Sequence, residues 1–301
     1  MPGAPQIFDQ RLLRTRRDRI AARGLADGID FLLARVADDF VDRLDIVRRD
    51  FQVGANIGAY QGLLSDRLRD LPNIGKMIDV EASLECLGLS DGLKVVANDD
   101  ALPFAAQSLD LAVSGLSLQL VNDIPGALAQ INRALKPDGL LLAALLGGET
   151  LKELRESWLL AESELYGGAS PRVAPFADVR ELGGLLQRAG FALPVADNDI
   201  LRVTYASPLA LMRDIKAMAA SNMLTERQRT PVSRRLLFRA CEIYQERFGL
   251  ADGRVPATFE IVTLTGWAPH ESQQKPLAPG SAQISLTDVL KPRPKNPSAK
   301  E

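Results

Sequence analysis

Between residues 52 and 145, short apolar runs alternate with helix-period stretches, and no other feature of the sequence restricts the fold so strongly. The runs Gln52–Ile57, Met77–Val80, Lys94–Ala97, Leu109–Gly115 and Leu140–Leu145 read as strands, and the stretches at about 61–70, 82–89, 123–136 and 149–165 as helices. Strands joined through helices run parallel with right-handed crossovers, and a parallel sheet needs helices on both faces to cover it. The expected fold class is therefore α/β, a doubly wound, mostly parallel, Rossmann-like sheet. Lys136-Pro137-Asp138-Gly139 is read as the stop of the fourth helix and the launch of the fifth strand, because proline cannot continue a helix and glycine tolerates the turn.

The flanks follow other patterns. Residues near 7–48 read as helices, with Phe31-Leu32-Leu33, Val36, Phe40-Val41 and Leu44 spaced to form an apolar stripe. Ile200–Tyr205 and Phe259–Trp267 read as two further strands, separated by helices at about 207–220 and 231–248, an insertion large enough for a lid. The tail beyond Ser272 is rich in proline, lysine, serine and glycine and is expected to be extended or disordered. The expected organisation is an N-terminal helical arm (1–48), a Rossmann-like core (49–205), a helical insertion (206–255), a final strand with the segment around His270 (256–275) and a flexible tail (276–301).

Composition excludes several function classes. A chain of 301 residues, 46% hydrophobic and 25% charged, buries a sizeable core. Its net charge of -2 argues against a general nucleic-acid binder. Arg11, Arg14, Arg16, Arg17, Arg19 and Arg23 make the N-terminal arm basic; a solvated helical face is the favoured reading, contact with an acidic partner or a membrane surface the other. No apolar signal core or transmembrane run follows, so the expected location is cytoplasmic, at most peripheral to the inner face of a membrane. Cys86 and Cys241 are too far apart in sequence to suggest a disulfide framework or a CxxC site, and with His270 as the single histidine a two-histidine-one-carboxylate iron site cannot be built from one chain. No metal is expected.

Ligands of open parallel sheets bind beyond the carboxyl ends of the strands, where the strand order reverses. After the first strand comes Asn56-Ile57-Gly58-Ala59-Tyr60-Gln61-Gly62, a loop with spaced glycines that lets the backbone turn tightly and approach a ligand. A second register, Gln52 to Gly58, is also open. Glu81 ends the second strand, about 20 residues on, where a carboxylate would receive two ribose hydroxyls, or would merely start a helix as a surface acid. Asn98, Asp99 and Asp100 precede Leu102-Pro103-Phe104 and either hydrogen-bond an adenine amino group or form a turn cluster. Ser114-Gly115-Leu116-Ser117-Leu118-Gln119 is a small, polar stretch that would line the adjoining space or simply pack as a strand end.

These features in this order resemble the class I S-adenosylmethionine (SAM)-dependent methyltransferases. A closer resemblance rests on Phe8-Asp9 with the following arginines, on Leu118 to Asp123, on Leu135 to Gly139, and on Gly147-Gly148-Glu149-Thr150-Leu151-Lys152-Glu153-Leu154-Arg155. Ser170 to Phe176, Arg188 to Phe191, Leu211 to Asp214, Ser221-Asn222, Val255 to Thr258 and Trp267 to Gln273 continue it. Over about Phe8 to Leu290 the chain is similar to the respiratory complex I assembly factor 5 family. More distantly the core resembles the malonyl-carrier-protein methyltransferase of biotin synthesis, which shares a Leu-Gln pair after the fourth strand. The resemblance implies a methyltransferase-like fold, SAM as cofactor, and hydroxylation of an arginine on a complex I subunit during assembly. It implies a cofactor site of Asn56, Gly58, Tyr60, Gly62, Glu81, Asn98, Asp99, Asp100, Leu102 and Ser114. The chain departs from the family at Asn56, where an acid is usual, at Tyr60, where a glycine is usual, at Asn98 in place of aspartate, and at Leu120 in place of an aromatic residue.

Methyl transfer from a sulfonium needs alignment and exclusion of water rather than a dedicated triad, so the lack of an obvious catalytic dyad leaves it open. Oxygen activation needs a redox cofactor for which the sequence holds no motif. For an arginine substrate, Glu149, Glu153 or Glu271 would pair with the guanidinium, and His270 would orient or act as a base; each also reads as an ordinary solvated or locally bonded side chain. Three readings stand: a modifying enzyme acting on a respiratory-chain partner, a SAM-dependent methyltransferase of a small acid or carrier-bound thioester, and a non-catalytic assembly chaperone.

Overall fold

The computed structural model describes residues 6–24 and 28–274. It divides into two units, residues 1–269 and 270–301, and the expected flexible tail at 276–301 lies outside the described residues.

The first unit is built on seven strands: β1 (Phe51–Ile57), β2 (Ile74–Glu81), β3 (Leu93–Val96), β4 (Leu109–Gly115), β5 (Leu135–Leu146), β6 (Ala192–Tyr205) and β7 (Val255–Trp267). They form one sheet in the order β3-β2-β1-β4-β5-β7-β6. The pairs from β3 through β5 are parallel, and β7 enters antiparallel between β5 and β6. The near-continuous apolar run Leu140–Leu145 is what a central strand covered on both faces requires.

Helices cover the two faces. Two N-terminal helices, α1 (Gln10–Ala21) and α2 (Phe31–Asp45), precede the sheet; α3 (Leu63–Arg69), α4 (Leu84–Gly88) and α5 (Ile124–Ala134) connect its parallel strands. They are followed by α6 (Lys152–Tyr166), α7 (Val179–Arg188), α8 (Pro208–Ala217) and α9 (Arg234–Phe248). In α2, Leu32, Val36, Phe40 and Leu44 recur every four residues and are buried in one face's core with Phe51, Leu111 and Leu142. Burying each such side chain contributes about 1.5–3 kcal/mol. The opposite face buries Leu128 and Ile131 of α5 and Leu182 and Leu186 of α7 against Leu141 and Leu264.

Several sequence expectations are corrected. β5 starts at Leu135 rather than Leu140: Lys136 to Gly139 lie within the strand, with a register shift opposite Leu109 and Leu111 and Asp138 at φ +63° absorbing the irregularity. β6 starts at Ala192 rather than Ile200. Its polar stretch Asp197-Asn198-Asp199, outside the strand expected from the sequence, pairs along β7, held by Arg43 on Asp197, Asn198 on Glu260 and Arg35 on Asp199. An edge strand with one partner tolerates such polarity. Helix α7 is absent from the sequence reading, although Asp178 and Glu181 form a reciprocal capping box at its start. Helix α6 begins at Lys152, not 149, because Gly147 to Glu149 form a turn against Glu260.

Candidate functional site

The strand order reverses between β1 and β4, so the site is expected at their carboxyl ends. There the chain leaves β1 through Gly58 (φ +68°), Tyr60 (φ +54°) and Gly62 (φ +87°), three left-handed residues before α3. At Gly58 the glycine is needed twice over. Its φ disfavours a side chain, and a Cβ would stand 2.1 Å from Ser117 Oγ and 2.8 Å from Asp99 Oδ2. The tip of β1 is thus pressed against the stretch after β4 and the loop after β3.

Glu81 ends β2 wholly buried. The backbone N–H of Tyr60 donates to its Oε2 at 3.0 Å and that of Ser83 to its Oε1 at 2.9 Å. Both oxygens also accept from a side chain of the N-terminal helix: Arg17 Nη1 donates at 2.9 and 2.7 Å, and Arg17 Nη2 continues to Ser117 Oγ at 3.2 Å. The guanidinium stacks 5.8 Å from the centre of the Tyr60 ring. This overturns the expectation of a fully solvated basic face on α1. Arg11, Arg14, Arg19 and Arg23 are exposed, but Arg17 is 7% exposed and shares a buried stripe with Leu13 and Ala21. That four-residue spacing was the sequence signal available for it. Burial opposes the charge of Arg17, but the carboxylates of Glu81 and Asp99 outweigh it and raise its pKa. Docking of α1 is reinforced by Ser83 Oγ donating to Asp18 at 2.6 Å and by Asn122 bonding both backbone groups of Phe8.

Asp99 is the third acid here. Ser117 Oγ donates to its Oδ2 at 2.5 Å, while its Oδ1 is enclosed without a partner. Burial, with Glu81 adding to it, pushes its pKa up to about 6 against the opposing pull of Arg17 and Ser117. Burial likewise pushes the Tyr60 phenol up to about 12.

The structure thus brings together Gly58, Tyr60, Glu81 and Asp99 from the sequence-derived set, with Gly62 closing the loop against Ser90. Others lie elsewhere. Asn56 turns into a buried network, donating to Ser65 Oγ and Asp79 Oδ1 at 3.1 Å each, and Ser114 Oγ donates to the Ile57 carbonyl at 2.8 Å, tying β4 to β1. Asn98 is exposed; Asp100 and Leu102 are bound through their backbones to Gln130 of α5. Glu149 is an exposed partner of Lys152. Glu153 is buried on Thr258 as a tie between α6 and β7, which removes it as a substrate-facing acid. His270 and Glu271 are exposed in the second unit, with His270 Nδ1 2.6 Å from Ser272 Oγ. Arg17 and Ser117, absent from the predicted set, complete the cluster.

Beside it lies a cavity of about 200 Å³, bounded by Tyr60 and Gly115 on one side and by Leu33, Leu151 and Ile215 among others. Gln119 reaches its wall, its Nε2 donating to the Leu116 carbonyl and its Oε1 without a partner.

A parallel sheet in this strand order, with an antiparallel seventh strand, a glycine loop after β1 and a carboxylate at the end of β2, defines the class I SAM-dependent methyltransferase fold. The model of the methyltransferase domain family matches residues 53–143. The YcgJ protein of Bacillus subtilis shares the fold at TM-score 0.52 and 14% identity, over 78% of this chain and 98% of that one. The chain belongs to the family of arginine-hydroxylase NDUFAF5, being 38% identical to the mouse mitochondrial protein over 96% of its own length and 85% of the relative's. It is also 34% identical to the malonyl-[acyl-carrier protein] O-methyltransferase of Halorhodospira halophila, over 97% and 99% of the two chains.

The residues present do not fit an adenosyl cofactor while α1 is docked. Both oxygens of Glu81, the acid that would take ribose hydroxyls, are held by Arg17 and two backbone amides. Ser117 fills the space against Gly58, and Tyr60 presents a ring where a glycine is usual. What this cluster receives as it stands is a guanidinium.

Proposed function

We propose that the protein is an assembly factor that modifies an arginine of a respiratory complex I subunit, by hydroxylation as its relatives' name states. The observation that carries this reading is the 38% identity to arginine-hydroxylase NDUFAF5 over 85% of that protein. In this reading it is cytoplasmic, at most peripheral to the inner face of the membrane that holds its partner. Among the described residues no helix is long and apolar enough to cross a membrane. SAM belongs to this reading as a ligand admitted only when Glu81 is released from Arg17.

Membranes from cells lacking the protein are expected to lose NADH:quinone activity while keeping downstream quinol oxidation. A complex I arginine that carries one added oxygen in the parent is expected to be unmodified in the deletion strain. Equal loss of both activities removes the reading.

A second reading is a non-catalytic assembly chaperone, favoured by the occupation of Glu81 by the chain's own Arg17. Its signature is loss of NADH:quinone activity with no change in arginine modification. Transfer of a methyl group from SAM to a carrier-bound malonyl thioester by the purified protein would instead support the methyltransferase reading.

A further inference from the structure

Helix α1 is held in place by polar groups more than by packing. None of residues 6–24 belongs to either of the two main cores, whereas α2, the next helix, places Leu32, Val36, Ala37, Phe40 and Leu44 in one of them. The arm's apolar contacts form a small cluster of their own, in which Phe8 and Leu13 meet Met223 and Leu224 of the segment between α8 and α9. Around that cluster the ties are hydrogen bonds. Phe8 and Leu224 form an antiparallel bridge, flanked by the Asp9 N–H donating to the Met223 carbonyl and the Thr225 N–H donating to that of Ile7, at 2.9 Å each. Arg227 Nη2 donates to Asp9 at 3.1 Å, and Arg16 Nη1 to the Asn222 carbonyl at 3.0 Å. A segment with few buried apolar contacts opens at a lower free energy than the core on which it lies.

What α1 covers is the end of the sheet where a nucleoside's ribose would be held. Glu81 stands where a carboxylate takes ribose hydroxyls, and Arg17 engages both of its oxygens. A ribose and this guanidinium therefore exclude each other at Glu81. Docking carries a cost of its own, since it encloses Asp99 Oδ1 with no donor. The same helix also walls the neighbouring cavity through Leu13 and Arg17. Its departure thus bares Glu81 and takes both side chains off that wall in one movement.

We propose that α1 is a releasable occupant of the nucleoside end of the site, expelled when an adenosyl ligand takes Glu81, and that its release opens the cavity beside it. Ligand binding at Glu81 and entry to the cavity are then coupled, because both draw on the same displaced state of one helix. Anything bound in the cavity that needs α1 away raises the affinity for the adenosyl ligand by the factor that the ligand raises its own. This device rests on the reading above for its adenosyl ligand and not for its arginine. It has a sign that a closing lid lacks: a helix that folds down over a ligand is protected by it, whereas an occupant that leaves is exposed.

Hydrogen exchange of the full chain, read by mass spectrometry with and without S-adenosylhomocysteine, tests that sign. The amides of residues 10–21 are expected to exchange at least tenfold faster with the ligand bound than without it. A disulfide supplies a second test. Facing residues of a bridge flanked by hydrogen bonds in this way stand about 4.5 Å apart, within the span of a disulfide. In a Cys241→Ser background, Phe8→Cys with Leu224→Cys is expected to bind S-adenosylhomocysteine at least tenfold more weakly when oxidised than when reduced, as read by calorimetry. Both forms have the same sequence, so packing lost at Phe8 and Leu224 is common to them. Arg17→Met is expected to bind the same probe at least tenfold more tightly than the wild type. Unchanged or slower exchange of residues 10–21 with the ligand bound, equal affinity of the oxidised and reduced forms, or no binding by either the wild type or Arg17→Met at millimolar concentration overturns the proposal. None of these measurements uses an arginine substrate. Their failure leaves the arginine modification scored in the deletion strain as it stood, and an arginine unmodified in the parent leaves them standing.

Discussion

Asp99 shows how one side chain registers its surroundings. Its pKa of about 6, raised from 3.8 chiefly by burial, means that the folded state holds a proton that the unfolded chain has already released. Stability is therefore lost as pH rises from about 4 to about 6, and the full cost of the ionised form persists above that. Asp99→Asn keeps the shape without the charge, so its melting temperature is expected to exceed that of the wild type at pH 8 and to match it near pH 4. A constant difference across that range would assign the effect to something other than Asp99 ionisation. Gly58 makes a steric prediction instead. Gly58→Ala meets both a left-handed backbone and Ser117 Oγ, and is expected to lose more than the about 1–2 kcal/mol that the backbone conformation alone costs. Urea denaturation reads this directly, and Ser117→Gly in the same chain should return part of the loss.

At the scale of elements, α1 is the piece whose position decides what the site can hold. Removing one member of a buried ion pair strands the other, at a cost of about 3–5 kcal/mol, whereas removing both can be nearly neutral. Arg17→Met is expected to fall in that range, and Arg17→Met with Glu81→Gln to recover most of it. Because the single variant frees Glu81 for ribose hydroxyls, S-adenosylhomocysteine is expected to raise its melting temperature more than that of the wild type. An equal response of the two proteins would mean that Arg17 and an adenosyl ligand do not compete for Glu81. The alternation of strands and helices between 52 and 145 was legible because each parallel strand is an apolar run and each crossover has its own period. Element ends were not. The polar stretch of β6 owes its pairing to β7, and within the register shift of β5 Asp138 and Gly139 bond the backbone of Ala268, partners distant in sequence.

For the whole molecule, the Arg17–Glu81 cluster and the cavity beside it lie together beyond the carboxyl ends of the interior strands β2, β1 and β4. The deletion experiment speaks at this scale, since a selective fall in NADH:quinone activity requires the folded protein and its partner together. The helices α8 and α9 add cover on the same face as α2, with Leu211, Ile215, Leu236 and Tyr244 buried in its core. Ile215 and Met218 of this insertion also reach the cavity wall, so the segment between β6 and β7 shapes the cavity as well as the core.

The sequence by itself determined the fold class, the glycine loop and the acid at the end of β2, because strand period, turn residues and their spacing are local properties of the chain. It also carried the family resemblance, spread over segments from Phe8 to Gln273. Only the tertiary structure decided that Arg17, one of six arginines that look alike in sequence, is the one buried on Glu81. Likewise it alone turned Asn56 and Ser114 inward and closed Gly58 on Ser117. Pairings of this kind span tens of residues and depend on how a helix docks against a strand end, a relation that no local pattern encodes.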